Sequence, residues 1–252
     1  MKSIQAIPFA LVVVLALCLS GAAKVVIKGT VINVNFQPSG AGGTYAATFA
    51  GQAAFSDPGN YIWNNIKPST DGAFNGDFGS GGFLAFDGAS FTSGPLVDSS
   101  GTTNYATVTV NKGDSKVGGA FAVNPAYGTY ANCANDAKGL TSEYLIAANS
   151  GINSVIINNL TPGGHYNLYL YGAGDRDIRN TKFTIGFTSM TTFGARGGAH
   201  NLLRGQDYVI FNNVVATGGS ITILYTTGGK SAEGPFNGFQ LIELPDGGTT
   251  TQ

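Results

Sequence analysis

"SVIINNLTPGGHYNLYLYG", residues 154–172, sets two alternating runs on either side of a Pro-Gly-Gly turn. A period of two belongs to a strand with two unlike faces, because successive side chains of extended backbone point in opposite directions. Proline and glycine between the runs supply the backbone angles of a tight turn. The stretch therefore predicts a β-hairpin over 154–160 and 166–172. Leu168 and Leu170 fall on one face of its second strand, with Tyr169 and Tyr171 on the other.

The same pattern recurs outward from this stretch. "TVINVNF" puts Ile32, Val34 and Phe36 on one face, and "YATVTV" does the same with Ala106, Val108 and Val110. "TKFTIGFT" aligns Phe183, Ile185 and Phe187, "YVIFNNVV" (208–215) reads as a further strand, and "SITILYTT" aligns Ile221, Ile223 and Tyr225. In the last run, "GFQLIEL", Phe239, Leu241 and Glu243 share one face while Gln240, Ile242 and Leu244 share the other. Neither face is purely polar, so this strand is expected to be covered on both sides, with Gly238 allowing a close approach. Only "LTSEYLIAA" (140–148) reads as a short helix. Many strands separated by "SDPGN", "GDFGSGG" and "NKGD" turns predict an all-β, jelly-roll-like sandwich of antiparallel strands. The longest non-periodic segment is 123–139, and no repeat of fixed period is present.

The N-terminus has the layout of a secretory signal peptide: Lys2, an apolar run from Phe9 to Leu19, then small residues 20–23. The run is shorter than the ~18 apolar residues of a membrane span. The expected organisation is a signal peptide over 1–23, one β-sandwich domain over 24–245 and a flexible tail over 246–252, with a secreted or cell-surface location. Cys18 leaves with the signal, so Cys133 stands alone and no intrachain disulfide forms. Without Lys2, 12 basic face 14 acidic residues, with no basic cluster, which argues against nucleic acid as a partner. Charged residues are only 11% of the chain, so its surface is largely uncharged and polar.

Read in order, "INVNF", "TYAATFAGQAAFSDPGNYIWNNI", "LVDSSGTTNYATVTV", "LTPGGHYNLYLYGAGDR" and "SAEGPFNGFQLIELP" make the chain resemble exported bacterial β-sandwich proteins of planctomycetes and verrucomicrobia, the PEP-CTERM-associated type. The resemblance runs from about Val31 to Leu244. More distantly, "INVNF" at the start, Trp63 after a turn and the final "NGFQLIEL" resemble malectin-like and galactose-binding-like jelly rolls. That resemblance implies first and last strands that lie near each other, and binding of glycans. The chain stops where a PEP-CTERM sorting tail would begin, so free secretion is the expectation.

Non-catalytic sugar binding needs an aromatic face and a few amide, carboxylate or guanidinium groups. Trp63, with Tyr61 beside it in "GNYIWNNI", has that composition, although a single large aromatic is more often a core residue. "GAGDRDIRN" is the densest charged stretch. It reads first as a salt-bridged turn, second as a glycan contact through Asp175 and Arg176, and third as a calcium loop using Asp175 and Asp177. No cofactor is expected beyond that structural calcium. Glu233 and Asn237, in the loop before the last strand, complete the predicted ligand set, with a tie-down of the turn as the rival reading.

Catalytic patterns are absent. The three glutamates, Glu143, Glu233 and Glu243, show no pairing in sequence that a glycosidase would need. "GDS" at 113–115 lacks a following D-x-x-H, "GKS" at 229–231 lacks the first glycine of a phosphate loop, and His165 and His200 are isolated. The expected function is a secreted carbohydrate-binding or cell-surface module. A structural or adhesive protein is the alternative, and a polysaccharide hydrolase or lyase the third.

Overall fold

The structure, a computed structural model, describes residues 30–36, 53–56, 62–66, 82–84, 90–111, 120–123, 138–141, 143–148, 152–174, 179–193, 202–229 and 233–245. Along these run β1 (Val31–Phe36), β2 (Asn64–Ile66), β3 (Gly82–Leu84), β4 (Ser90–Thr92), β5 (Thr107–Asn111), β6 (Ala120–Val123), α1 (Lys138–Thr141), β7 (Glu143–Ala148) and β8 (Asn153–Asn158). There follow β9 (His165–Tyr171), β10 (Thr181–Ile185), β11 (Thr188–Thr191), β12 (Tyr208–Val215), β13 (Ile221–Thr227), β14 (Glu233–Phe236) and β15 (Gly238–Glu243). The described residues are all-β apart from one helical turn, as the alternation predicts.

The strands form three sheets, ordered β12-β9-β15-β1-β2, β11-β10-β13-β8-β5-β4 and β14-β7-β6-β3. All pairs are antiparallel except β1 with β2. The first two sheets face each other as a jelly-roll-like sandwich. Ile32, Val34 and Phe36 of β1, Leu168 and Leu170 of β9, and Phe239 and Leu241 of β15 meet Val108 and Val110 of β5, Val155 and Ile157 of β8, Phe183 of β10, and Ile221, Ile223 and Tyr225 of β13. Leu145 and Ala147 of β7 and Phe236 of β14 join the same core, so the third sheet packs against it. Phe36, Phe183 and Tyr225 all set ring edges against Phe236, 4.8–5.2 Å between centroids, the arrangement that aromatic quadrupoles favour.

First and last strands lie side by side: Val31 pairs with Ile242 and Val34 with Phe239. β15 is buried on both faces, as its mixed alternation requires. A Cβ on Gly238 would stand 2.2 Å from the Val34 carbonyl oxygen, so only glycine fits there.

Three expectations need correction. Residues 154–172 are not a hairpin: β8 pairs with β5 and β13 in one sheet, whereas β9 pairs with β12 and β15 in the other. The Pro-Gly-Gly turn instead carries the chain from one layer of the sandwich to the other. "TKFTIGFT" is not one strand. It folds back at Gly186, whose φ of 56° serves the turn, and Phe187 projects fully into solvent at the tip between β10 and β11. The helix expected over 140–148 is confined to residues 138–141. Glu143–Ala148 is a strand held between β6 and β14, so sheet pairing overrides local propensity.

Candidate functional site

Of the predicted ligand residues, Tyr61, Asp175, Arg176 and Asp177 lie outside the described residues, as do Cys133 and His200. The other three are held by the fold. Trp63 is only 6% exposed and packs with Leu140 and Tyr171, its ring 6.5 Å from the Tyr171 ring. A tryptophan covered on its faces offers no platform for a sugar ring, so the structure corrects that expectation. Asn237 is fully buried at the corner where the chain leaves β14 for β15. Its N–H donates to the Tyr171 carbonyl (3.0 Å), its carbonyl accepts from Phe36 N–H (2.8 Å), and its Oδ1 accepts from Ala173 N–H (2.8 Å). These bonds tie β9, β1 and the loop after β9 to one corner. Glu233 Oε2 lies 2.9 Å from Arg179 Nη2, and Arg179 Nη1 donates to the Tyr144 hydroxyl at 2.6 Å. The arginine is 7% exposed, so the carboxylate neutralises a buried charge.

A polar layer covers the outer face of the first sheet. Gln240 Nε2 donates to Asn33 Oδ1 (2.9 Å) and to the Phe55 carbonyl (3.0 Å), while its Oε1 accepts from Phe55 N–H (3.0 Å) and from the Tyr171 hydroxyl. Residues 53–56 are thereby strapped over the sheet. Tyr171 is fully buried, which pushes its phenol well above the ordinary value.

Further along the same face the layer opens. Tyr169 and Tyr208 stack at 6.1 Å with 26° between their planes, and both are half-buried. Burial raises the phenol pKa of each, against the opposing pull of the nearby Arg204 guanidinium. Arg204 is exposed. It lines a groove of about 760 Å³ between the edge strand β12 and the β10–β11 hairpin.

Sequence explains the groove's shape. β12 carries a bulge between Phe211 and Val214, with Asn213 at φ 55°, a conformation that asparagine tolerates better than most residues. Asn167 Oδ1 accepts from the Asn213 N–H (2.9 Å), and Asn213 Oδ1 pairs with His165 Nδ1 (2.7 Å), which hold the bulge in place. The extra residue leaves the exposed Asn212 on the groove. Ile185, Met190, Ile210 and Val214 supply apolar lining, and Thr188, Thr217, Ser220 and Thr222 supply hydroxyls. Residues 210–215 line the groove in unbroken succession, so it follows β12 over most of that strand.

No described residue of the lining is a carboxylate, histidine or cysteine. Among the described residues no three His, Cys, Asp or Glu come together as a metal-binding set, and no helix is long and apolar enough to cross a membrane. Sequence reading passed over Tyr169, Tyr208 and Arg204. The one available signal was the alternation of "YNLYLY", which set Tyr169 and Tyr171 opposite the leucines.

Fold and site together define an all-β, jelly-roll-like sandwich with an aromatic pair and an open polar groove along one sheet edge. No family model and no curated protein matches the chain. Among solved structures it is similar to the CBM36-1 domain of a multidomain xylanase from the hindgut metagenome of Trinervitermes trinervoides, at 14% identity over 38% of this chain and 75% of that one, TM-score 0.27. It is also similar to the exo-β-1,3-galactanase of Phanerochaete chrysosporium. With galactose bound, the identity is 18% over 56% of this chain and 30% of that one, TM-score 0.29. With β-1,3-galactotriose the identity is 18% over 40% and 23%, TM-score 0.27.

Proposed function

We propose that the protein is a secreted or cell-surface module that binds carbohydrate chains without cleaving them. The observation that carries this reading is the groove along β12, lined by hydroxyls, the Asn212 amide, apolar side chains and Arg204, whose bridge partner Tyr208 stacks on Tyr169. Sugars present this combination in reverse: apolar C–H faces with hydroxyls around their edges. Hydrolysis of a glycosidic bond needs two acids across the scissile bond, and the described lining offers none. Binding by position, without proton transfer, is the chemistry such a lining supports.

The test is binding to a panel of soluble polysaccharides by affinity electrophoresis, comparing the parent chain with Tyr208→Ala and Asn212→Ala. Retardation by at least one polysaccharide, reduced in both variants while far-ultraviolet circular dichroism is unchanged, supports the reading. Release of reducing ends would instead make the protein an enzyme, and migration unaffected by every polysaccharide would leave it a structural module.

A further inference from the structure

We propose that the groove is selective for acidic chains, with Arg204 receiving the carboxylate of a uronic-acid residue; this rests on the carbohydrate-binding reading above. Among the described lining residues Arg204 alone carries a charge, and no described carboxylate pairs with it. Its chain neighbour Asp207 is fully buried, and its Oδ2 accepts the Leu203 N–H at 2.8 Å, so that acid is turned inward. The guanidinium is left exposed on the groove lining.

Two further donors flank it. Tyr208 adjoins Arg204 through a backbone bridge and Tyr169 stacks on Tyr208 at 6.1 Å; burial holds both phenols above their ordinary range, so they keep their O–H protons at neutral pH. One guanidinium fork on the groove lining, with a phenol next to it along the chain's β-bridge, matches an acceptor-only group better than a neutral sugar, whose hydroxyls both donate and accept. Arginine presents its donors in a planar fork that engages both oxygens of a carboxylate.

The whole chain is slightly acidic, formal charge −1, so general attraction of anions does not account for such binding. The positive charge on the groove lining is local. Its position beside the aromatic pair lets a ring contact the tyrosines while its carboxylate reaches Arg204.

Affinity electrophoresis against polygalacturonate, its carboxyl-reduced neutral counterpart and dextran sulfate tests this. The parent chain should bind polygalacturonate at least tenfold more tightly than the reduced polymer. Arg204→Gln should weaken polygalacturonate binding at least tenfold and so abolish that preference, and Arg204→Lys should restore part of it. Lys182→Gln removes the same charge from an exposed position on β10 outside the groove lining and should change nothing. Equal binding of the acidic and reduced polymers, both weakened by Tyr208→Ala, would overturn the acidic preference and keep the carbohydrate reading. Dextran sulfate binding as tightly as polygalacturonate would overturn the carboxylate assignment in favour of a general anion site. Failure of all three polymers to bind would remove both proposals.

Discussion

Arg179 and Glu233 form an ion pair of 2.9 Å between the segment leading into β10 and the first residue of β14. The side chains are 9% and 21% exposed, and the arginine also donates to Tyr144 in β7. Two stretches that sequence reading treated as ligand loops are thus joined to each other. Glu233→Gln leaves a buried guanidinium without its counter-charge, which costs about 3 kcal/mol when a buried pair is broken from one side. Urea unfolding should show that loss of stability with polysaccharide binding intact. A variant of parental stability that no longer binds would return Glu233 to the ligand set.

Trp63 closes a small second cluster with Leu140 and Tyr171 on the outer side of the first sheet. Truncation of a buried large aromatic to alanine costs about 3–5 kcal/mol. Trp63→Ala is therefore expected to lower the denaturation midpoint strongly. Any fraction that folds should bind polysaccharide with parental affinity, which distinguishes packing from a platform.

Gln240 holds the strap of residues 53–56 through both edges of one carboxamide. Gln240→Leu keeps the volume and removes every bond, leaving the Phe55 backbone and Asn33 Oδ1 without this partner. Unsatisfied buried polar groups cost about 1–3 kcal/mol each, so the segment should detach before the sheet fails. Hydrogen exchange should quicken at Ala54 and Phe55 while the β9–β15 pairing stays protected; unchanged exchange at 54 and 55 would mean that the strap is held by other contacts.

Tyr171 and Tyr225 are fully buried, and burial raises both phenols above the ordinary 10.0. Above about pH 10 the unfolded chain releases these protons while the folded chain retains them. The unfolded state then binds fewer protons, so stability falls as pH rises. Each buried phenol contributes about 1.4 kcal/mol per pH unit until its folded value is reached. Denaturation midpoints measured between pH 8 and 12 should be flat at first and then decline. Tyr225→Phe should flatten the decline by one phenol's share, and an unchanged slope in that variant would contradict the assignment.

Much of the architecture was legible in the alternation. Ile32, Val34 and Phe36, Val108 and Val110, and Ile221, Ile223 and Tyr225 all face the core as their spacing requires, because period two follows from extended backbone alone. The two-sided burial of β15 and the close approach at Gly238 could likewise be read from local composition. Pairing could not. "TPGGH" has the chemistry of a hairpin turn, yet β8 and β9 belong to opposed sheets, since partner choice depends on strands far away in the chain.

The site divides in the same way. By itself the sequence determined an all-β chain, the faces of most strands and the polar character of its surface, because those follow from side-chain pattern and composition. Only the tertiary structure decided that Trp63, Asn237 and Glu233 are held in packing, corner and ion pair, that Arg204 lines a groove, and that Tyr169 and Tyr208 stack. Burial and proximity are set by contacts between distant segments. Tyr169 and Tyr208 are neighbours through β9–β12 pairing, and a separation of 39 positions along the chain carries no local trace of that contact.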